Sequence, residues 1–580
     1  MLKRTVSIVI TLFLLSNAAM AKGRTIYTSS VKNWTPASLE QLIDACEEGS
    51  TIVFDADYDY TVDRCLKPKV SITIKGNGKT LRTINKYNYV ISLFDVHDIN
   101  HFIIEDLILD GGCDVYNKRG SIPQEFFCTV RNVAIVTFKN CVFQNIWSSY
   151  PNWKPGDEPY TMWIENYDRF SFEKNRVLDC RCAEFLKVIQ PKDNNSKNKI
   201  ATICNNSFFF VSTSSAVEVR FSRFRINNNE FGVTEGSTIN AYGFDSEIVN
   251  NVFHGSHNSS SIDLSEQFAF EYVSHHILVK GNYSEFSRYG FLMADTVHNI
   301  KIIKNEYRAD VVKEEEFLRY DTIWTPTDRI NDRALYLSNS LSDILIRANL
   351  FVGANALMMS SSIQPRKNII IENNTIKNVS NPIRSSLIIS CVDGMVIKNN
   401  KFINTGRTLS YLSDPQFIVI GPTNSADSTK RFVRGLSIIG NSFSFDDEEV
   451  KNTYILAHTI YDNRNCNTLS SLSNIVVKNN RSSVKGDILL VSDDFRPDVK
   501  ESLISIRNNR FNKGIVSGNM FSVQAMGEIN SNGKLVPNTT VTYKGKLYYV
   551  VIGGKAALGD VVNNEGYIKT GQAVLREIKQ

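Results

Sequence analysis

The chain has 580 residues, 42% of them apolar, which is ample for a large buried core, and a formal charge of +5 left by 65 basic and 60 acidic residues. So small a bias, with no basic block and no RNA-binding signature, speaks against nucleic acid as a partner. After the N-terminus no stretch approaches the roughly 18 uninterrupted apolar residues that span a bilayer, so no membrane span is expected. Ten cysteines follow no disulfide-framework spacing, and Cys180 and Cys182 are one residue apart rather than the two of a redox or zinc pair. They are expected as small buried residues, with one or two bridges in the N-terminal half.

In chain order, residues 1–21 carry Lys3 and Arg4, an apolar run from Val6 to Leu15 and the small-residue ending Ala19-Met20-Ala21. That is the layout of a secretory signal peptide. No cysteine follows before Cys46, so lipid attachment is not expected, and the mature protein is read as secreted or periplasmic. Leu39 to Cys46 has helical periodicity, and Gly49–Phe54 and Ile72–Leu81 read as strands broken by the turn Gly76-Asn77-Gly78.

From Val136 onward one unit recurs: a short apolar strand, a polar residue, one or two asparagines and another apolar residue. Copies include Asn140-Cys141-Val142-Phe143, Asn205-Asn206-Ser207-Phe208, Asn228-Asn229-Glu230-Phe231, Asn250-Asn251-Val252-Phe253, Asn373-Asn374-Thr375-Ile376 and Asn508-Asn509-Arg510-Phe511. Asn206 to Asn229 is 23 residues, Asn229 to Asn251 is 22, and Asn305 to Asn349 is 44, which reads as two units of 22. Asparagine tolerates the left-handed backbone of a sharp corner, and its amide can bond to the asparagine of the next coil. A dozen copies in phase make a solenoid whose coils bury apolar faces against their neighbours.

With the helix Leu39–Cys46 and the early Gly-Asn-Gly turn, this pattern resembles the pectin-lyase-like right-handed parallel β-helix superfamily over residues 25–517. The resemblance implies an all-β solenoid, residues 22–517, with an N-terminal capping helix. Residues 518–580 change character: Asn532-Gly533 and Lys544-Gly545 are hairpin turns next to Val541–Tyr543 and Leu547–Ile552. They read as a small antiparallel β module, either an edge cap or a binding element, similar to modules that end some phage tail proteins.

Counting twelve residues past each asparagine turn should reach one strand position in successive coils. It gives Lys187, Glu218, Ala241 and Asp263, and two residues further Ile189, Arg220, Gly243 and Ser265. Strands about 4.8 Å apart would then gather Lys187, Glu218, Arg220 and Asp263 into one patch with Asn240 and Tyr242 between them. Two carboxyls suit glycoside hydrolysis, while a base beside a cation suits β-elimination from a uronate. A ladder of alternating charges that only stabilises the sheet has the same pattern.

The patch also resembles that of polysaccharide lyases of the chondroitinase B type. By that resemblance Lys187 is the base, Arg220 the acid or substrate clamp, and Glu218 and Asp263 the ligands of a calcium ion or an electrostatic support. Three insertions flank the region. Residues 147–167 hold Trp147, Trp153, Tyr160, Trp163 and Tyr167, suited to stacking on sugar rings or to packing the loop on the solenoid; the first four, with Tyr242, form the expected substrate-binding set. Residues 254–276 hold His254, His257, His275 and His276, read as structural, with one of the last two inward and one outward. Residues 308–333 hold Glu314-Glu315-Glu316, read as a solvated run. The polygalacturonase and plant pectate-lyase signatures are absent. The sequence thus points to a secreted protein that degrades an acidic or complex polysaccharide by β-elimination or hydrolysis. The contrasting reading is a non-catalytic glycan-binding adhesin or tailspike-like protein, with which trimerisation would go.

Overall fold

The structure is a computed structural model that describes residues 23–577 except for a series of segments, of which the longest are 149–159, 313–332, 405–415, 421–431, 459–470, 491–503 and 521–539. The candidate signal peptide, Trp153 and the Glu314–Glu316 run therefore lie outside the described residues. The chain divides into two compact units, Met1–Val252 and Phe253–Gln580. Each is built from coils of a right-handed parallel β-helix. Among the described residues no helix is long and apolar enough to cross a membrane.

The first unit begins with the helix Ser38–Asp44, which buries Leu39, Leu42 and Ile43. Successive coils then contribute β1 (Ser92–His97), β2 (Phe126–Arg131), β3 (Met162–Glu165), β4 (Leu186–Ile189), β5 (Val217–Asn227) and β6 (Ile239–Val249), all paired in parallel. Phe94, Cys128, Met162, Leu186, Val217 and Ile239 are in register and buried. Because side chains alternate along a strand, the residues that follow each of these face outward. Inside, Phe172, Phe208 and Phe231 stack from coil to coil, with ring centroids 5.9 and 4.9 Å apart.

The asparagine pair divides its labour. The first residue takes the left-handed conformation: Asn205, Asn228 and Asn250 have φ of 60°, 56° and 56°. The second is buried and carries the ladder. The backbone N–H groups of Asn175, Asn206 and Asn229 donate to the Oδ1 of Asn206, Asn229 and Asn251 at 2.8, 3.0 and 2.9 Å. Each of these amides also donates back to an interior carbonyl, as Asn229 does to Ile203 O at 2.8 Å. The corner is thereby fully hydrogen-bonded although it is dry. A second ladder sits at another corner, where Asn166 Nδ2 donates to Asn132 Oδ1 and Asn132 Nδ2 to Asp98 Oδ1, at 2.8 and 2.9 Å, all three residues with positive φ.

The second unit repeats the device from Asn282 to Asn509. Here the 44-residue step is corrected. Asn305 N donates directly to Asn349 Oδ1 at 2.8 Å, so one coil, not two, spans it, and the extra length is the insertion. The left-handed position before Asn349 is held by Ala348, φ 56°. An alanine there bears a backbone cost of about 1–2 kcal/mol that glycine avoids. Ala348→Gly is expected to raise the denaturation midpoint, measured by urea titration, by a corresponding increment of about 1 kcal/mol. The unit also holds a five-stranded antiparallel sheet between Thr540 and Glu577.

The expected disulfides are not formed: none of the nine described cysteines is bridged. Cys141 shows why such residues are here. It stands where later coils place the ladder asparagine, its N–H donates to Asn175 Oδ1 at 2.8 Å, and burial pushes its thiol up to about 12.

Candidate functional site

Strand register defines two outward columns on the first unit. One runs Asp95, Thr129, Trp163, Lys187, Glu218, Asn240; the other runs His97, Arg131, Glu165, Ile189, Arg220, Tyr242. Lys187, Glu218 and Arg220 are brought together as the spacing predicted. The count fails one coil later. Ala241 and Gly243 are not the neighbours; Asn240 pairs with Glu218 and Tyr242 with Arg220, while Ala241 is buried inside. The segment between the asparagine turn and β6 is one residue shorter than that before β5, and a single residue reverses every side chain.

At the centre, Glu218 is 0% exposed although it sits on an outward position. Lys187 Nζ lies 2.8 Å from Glu218 Oε2 and donates to the Tyr160 hydroxyl at 2.6 Å. Arg220 Nε pairs with Glu218 Oε1 from the other side. Aromatic rings close the cluster. The Lys187 ammonium lies 3.8 Å from the Tyr160 ring centroid and 5.8 Å from that of Trp163; the Arg220 guanidinium is 5.7 Å from the ring of Tyr242. Tyr160 and Trp163 meet edge to face at 5.5 Å.

A second carboxyl, missed by the count, completes the group. Glu184 is buried, with its Oε2 4.0 Å from Lys187 Nζ, and it is hydrogen-bonded to Glu218. Its signal in the sequence is a lone acid inside the apolar run Cys182-Ala183-Glu184-Phe185-Leu186. Burial first, then the hydrogen bond and charge of Glu218, hold the Glu184 carboxyl well above the usual carboxylate range. Burial pushes Glu218 the same way, but the Glu184 hydrogen bond and the charges of Lys187 and Arg220 outweigh it and hold that carboxyl low. Of the two carboxyls, Glu184 is thus the one that holds a proton more readily and Glu218 the one that favours its ionised form. Burial alone would lower Lys187; the two glutamates outweigh it and keep the ammonium charged.

The pH dependence follows. Folded Glu184 binds its proton more tightly than the unfolded chain, so its contribution to stability is complete at acid pH and falls as pH rises from the ordinary glutamate value through the raised one. Glu218 acts oppositely, contributing above the ordinary value and losing that contribution as pH falls. Glu184→Gln keeps a donor to Glu218 and is expected to abolish the decline on the alkaline side while leaving the acid-side loss, as read from denaturation midpoints across the pH range.

The remaining residues singled out in the sequence have partners of their own. Asp263 belongs to the second unit, where it is buried and its Oδ1 accepts from the Ser265 N–H at 2.7 Å. Trp147 belongs to the other strand family and bridges Arg181. His254 is buried, with Nδ1 3.1 Å from Glu285 Oε2. The inward–outward alternation expected for His275 and His276 is broken. His276 takes a φ of 56°, so it is exposed, and His275 is half-buried rather than inward.

No protein-family model matches the sequence, and no curated protein matches it. Solved structures to which it is similar include a PL6 alginate lyase in complex with a trisaccharide, 10% identical, covering 90% of this chain and 91% of that one at a TM-score of 0.34. Others are the surface adhesin PfbA of Streptococcus pneumoniae, at 10%, 86%, 99% and 0.31, and the Dettilon tailspike protein, at 10%, 70%, 69% and 0.32.

Proposed function

We propose that this protein is exported and acts on an acidic polysaccharide at the outer face of β3 to β6, with β-elimination from a uronate as its chemistry. The observation that carries this reading is the buried Glu184–Lys187–Glu218–Arg220 cluster under an aromatic rim. Buried ion networks are poor stabilisers compared with apolar residues of the same volume, so a network this dense calls for a role beyond stability. Perturbed carboxyls and a charged lysine in one place are what proton-transfer sites are built from.

The roles follow from what each group can reach. Glu218 is wholly covered, so it orients and charges its neighbours rather than meeting a sugar. Arg220, whose side chain keeps 30% exposure, is the clamp for a uronate carboxylate and neutralises charge that develops there. Lys187 stays protonated and donates, so the proton-abstracting role assigned to it by resemblance passes to the half-buried Tyr160 to which it is hydrogen-bonded, acting as the phenolate. It takes the proton beside the carboxylate, the double bond forms as the glycosidic C–O bond breaks, and the phenol returns the proton to the leaving oxygen. Trp163 supplies a ring face for the sugar, and the buried Tyr242 backs the Arg220 guanidinium. No cation ligand set is assembled from Glu218 and Asp263 in this reading, and calcium is not invoked.

The test is a screen of uronate polymers for absorbance at about 232 nm, the new double bond that elimination creates. Tyr160→Phe is expected to abolish turnover and Arg220→Lys to raise KM. Turnover unchanged in both variants rejects the site. Binding without turnover on any uronate polymer favours the glycan-binding reading, which the complete burial of Glu218 also favours.

A further inference from the structure

The second unit carries an aromatic and cationic surface of its own. Arg333 opens a long strand, Arg333–Arg347, and its guanidinium lies 5.2 Å from the ring centroid of Tyr289 and 4.4 Å from that of Tyr336. Tyr289 is 37% exposed, one of the few large apolar side chains so placed among the described residues. Next to it, Arg288 Nη1 donates to Asn258 Oδ1 at 2.8 Å. One guanidinium group and two phenol rings thus meet on one patch.

The patch is rigid. Tyr289 sits at the tip of a turn closed by Gly290 N–H to Ser287 O at 2.8 Å and anchored by Tyr289 N–H to Ser259 O at 2.9 Å. Gly290 has φ 94°, and a Cβ on it would lie 1.6 Å from Arg333 O, so the turn presses against the start of the strand and only glycine fits. The exposed ring and the stacked guanidinium are therefore held in place before any ligand arrives, which removes much of the ordering cost of binding.

We infer that Tyr289, Arg333 and Tyr336 form a second binding site, for a sugar unit bearing a carboxylate or sulfate. The exposed Tyr289 face suits the C–H face of a pyranose. A stacked guanidinium directs its N–H donors in its own plane, matched to two oxygens of one acidic group, a geometry that an ammonium cannot copy. The site is separate from that of the first unit and performs no chemistry; it would hold a polymer chain on the protein.

Affinity electrophoresis of the full chain in gels containing polygalacturonate, chondroitin sulfate or neutral dextran tests this. Retardation is expected in the two acidic gels, surviving in the Tyr160→Phe/Arg220→Lys variant and weakened about tenfold or more by Tyr289→Ala or Arg333→Lys. Because Tyr289 is exposed, its alanine variant should fold, which an unchanged circular dichroism melt would verify. Equal retardation of wild type and Tyr289→Ala, retardation by dextran as strong as by the acidic polymers, or tighter binding to single-stranded DNA than to either would overturn the site. Retardation by the acidic polymers with no elimination by the unaltered protein on any uronate polymer would reject the first site alone.

Discussion

Asn229→Ala is expected to destabilise the first unit by roughly 3–6 kcal/mol, whereas Asn228→Ala, its neighbour, costs only about 1–2. The difference follows from the division of roles at the corner. Asn228 is exposed and contributes its tolerance of a φ of 56°. Asn229 accepts at Oδ1 from both the N–H and the Nδ2 of Asn206, and its own Nδ2 donates to Ile203 O and Asn251 Oδ1 at 2.8 and 2.9 Å. Alanine removes all of these, and the groups left behind are buried where water does not replace them, each at about 1–3 kcal/mol. Asn228→Gly should be neutral or stabilising, because glycine takes the left-handed conformation freely. Urea midpoints of the three variants check the order. Equal losses at 228 and 229 would mean that backbone strain, not the amide ladder, holds the corner.

The asparagines are also why so much of the fold was legible. A residue needed for two reasons at one corner of every coil leaves a periodic mark that survives variation in the strands between. Phe143, Phe208, Phe231 and Phe253, the apolar residues that close the quoted copies, mark the inner face for the same reason. What could not be read was anything depending on the length of a single corner. The coil from Asn305 to Asn349 looked like two because its insertion happened to double the period. The neighbour of Glu218 was misplaced by one residue because the segment before β6 is one residue shorter. Glu184 was invisible to a ruler of strand positions, since it lies before β4 and enters the cluster from the side. The second ladder, Asp98–Asn132–Asn166, shares no local motif at all; it appears only when strands of register are laid side by side.

Lys187→Met is expected to be among the most damaging single changes in the first unit, costing about 3–5 kcal/mol, because it leaves Glu218 buried with Arg220 as its remaining cation. Glu218→Leu alone is also expected to destabilise, since the buried Lys187 ammonium would lose the carboxylate that lies 2.8 Å from it. The double variant Lys187→Met/Glu218→Leu removes both charges and replaces them with apolar groups of similar length. It should recover most of either loss, giving a coupling of about 2 kcal/mol or more between residues in direct contact. The double variant separates stability from function, which no single change at this cluster does. If Arg220 and Tyr160 act on a uronate only when Glu218 fixes one and Lys187 the other, a folded double variant retains its melting behaviour and its coil structure but loses turnover and binding at β3 to β6. A double variant as stable as wild type and equally active would mean that the cluster is a charge ladder on an inert sheet. One that is stable and inactive would mean that two buried charges are kept for chemistry at a cost to the fold.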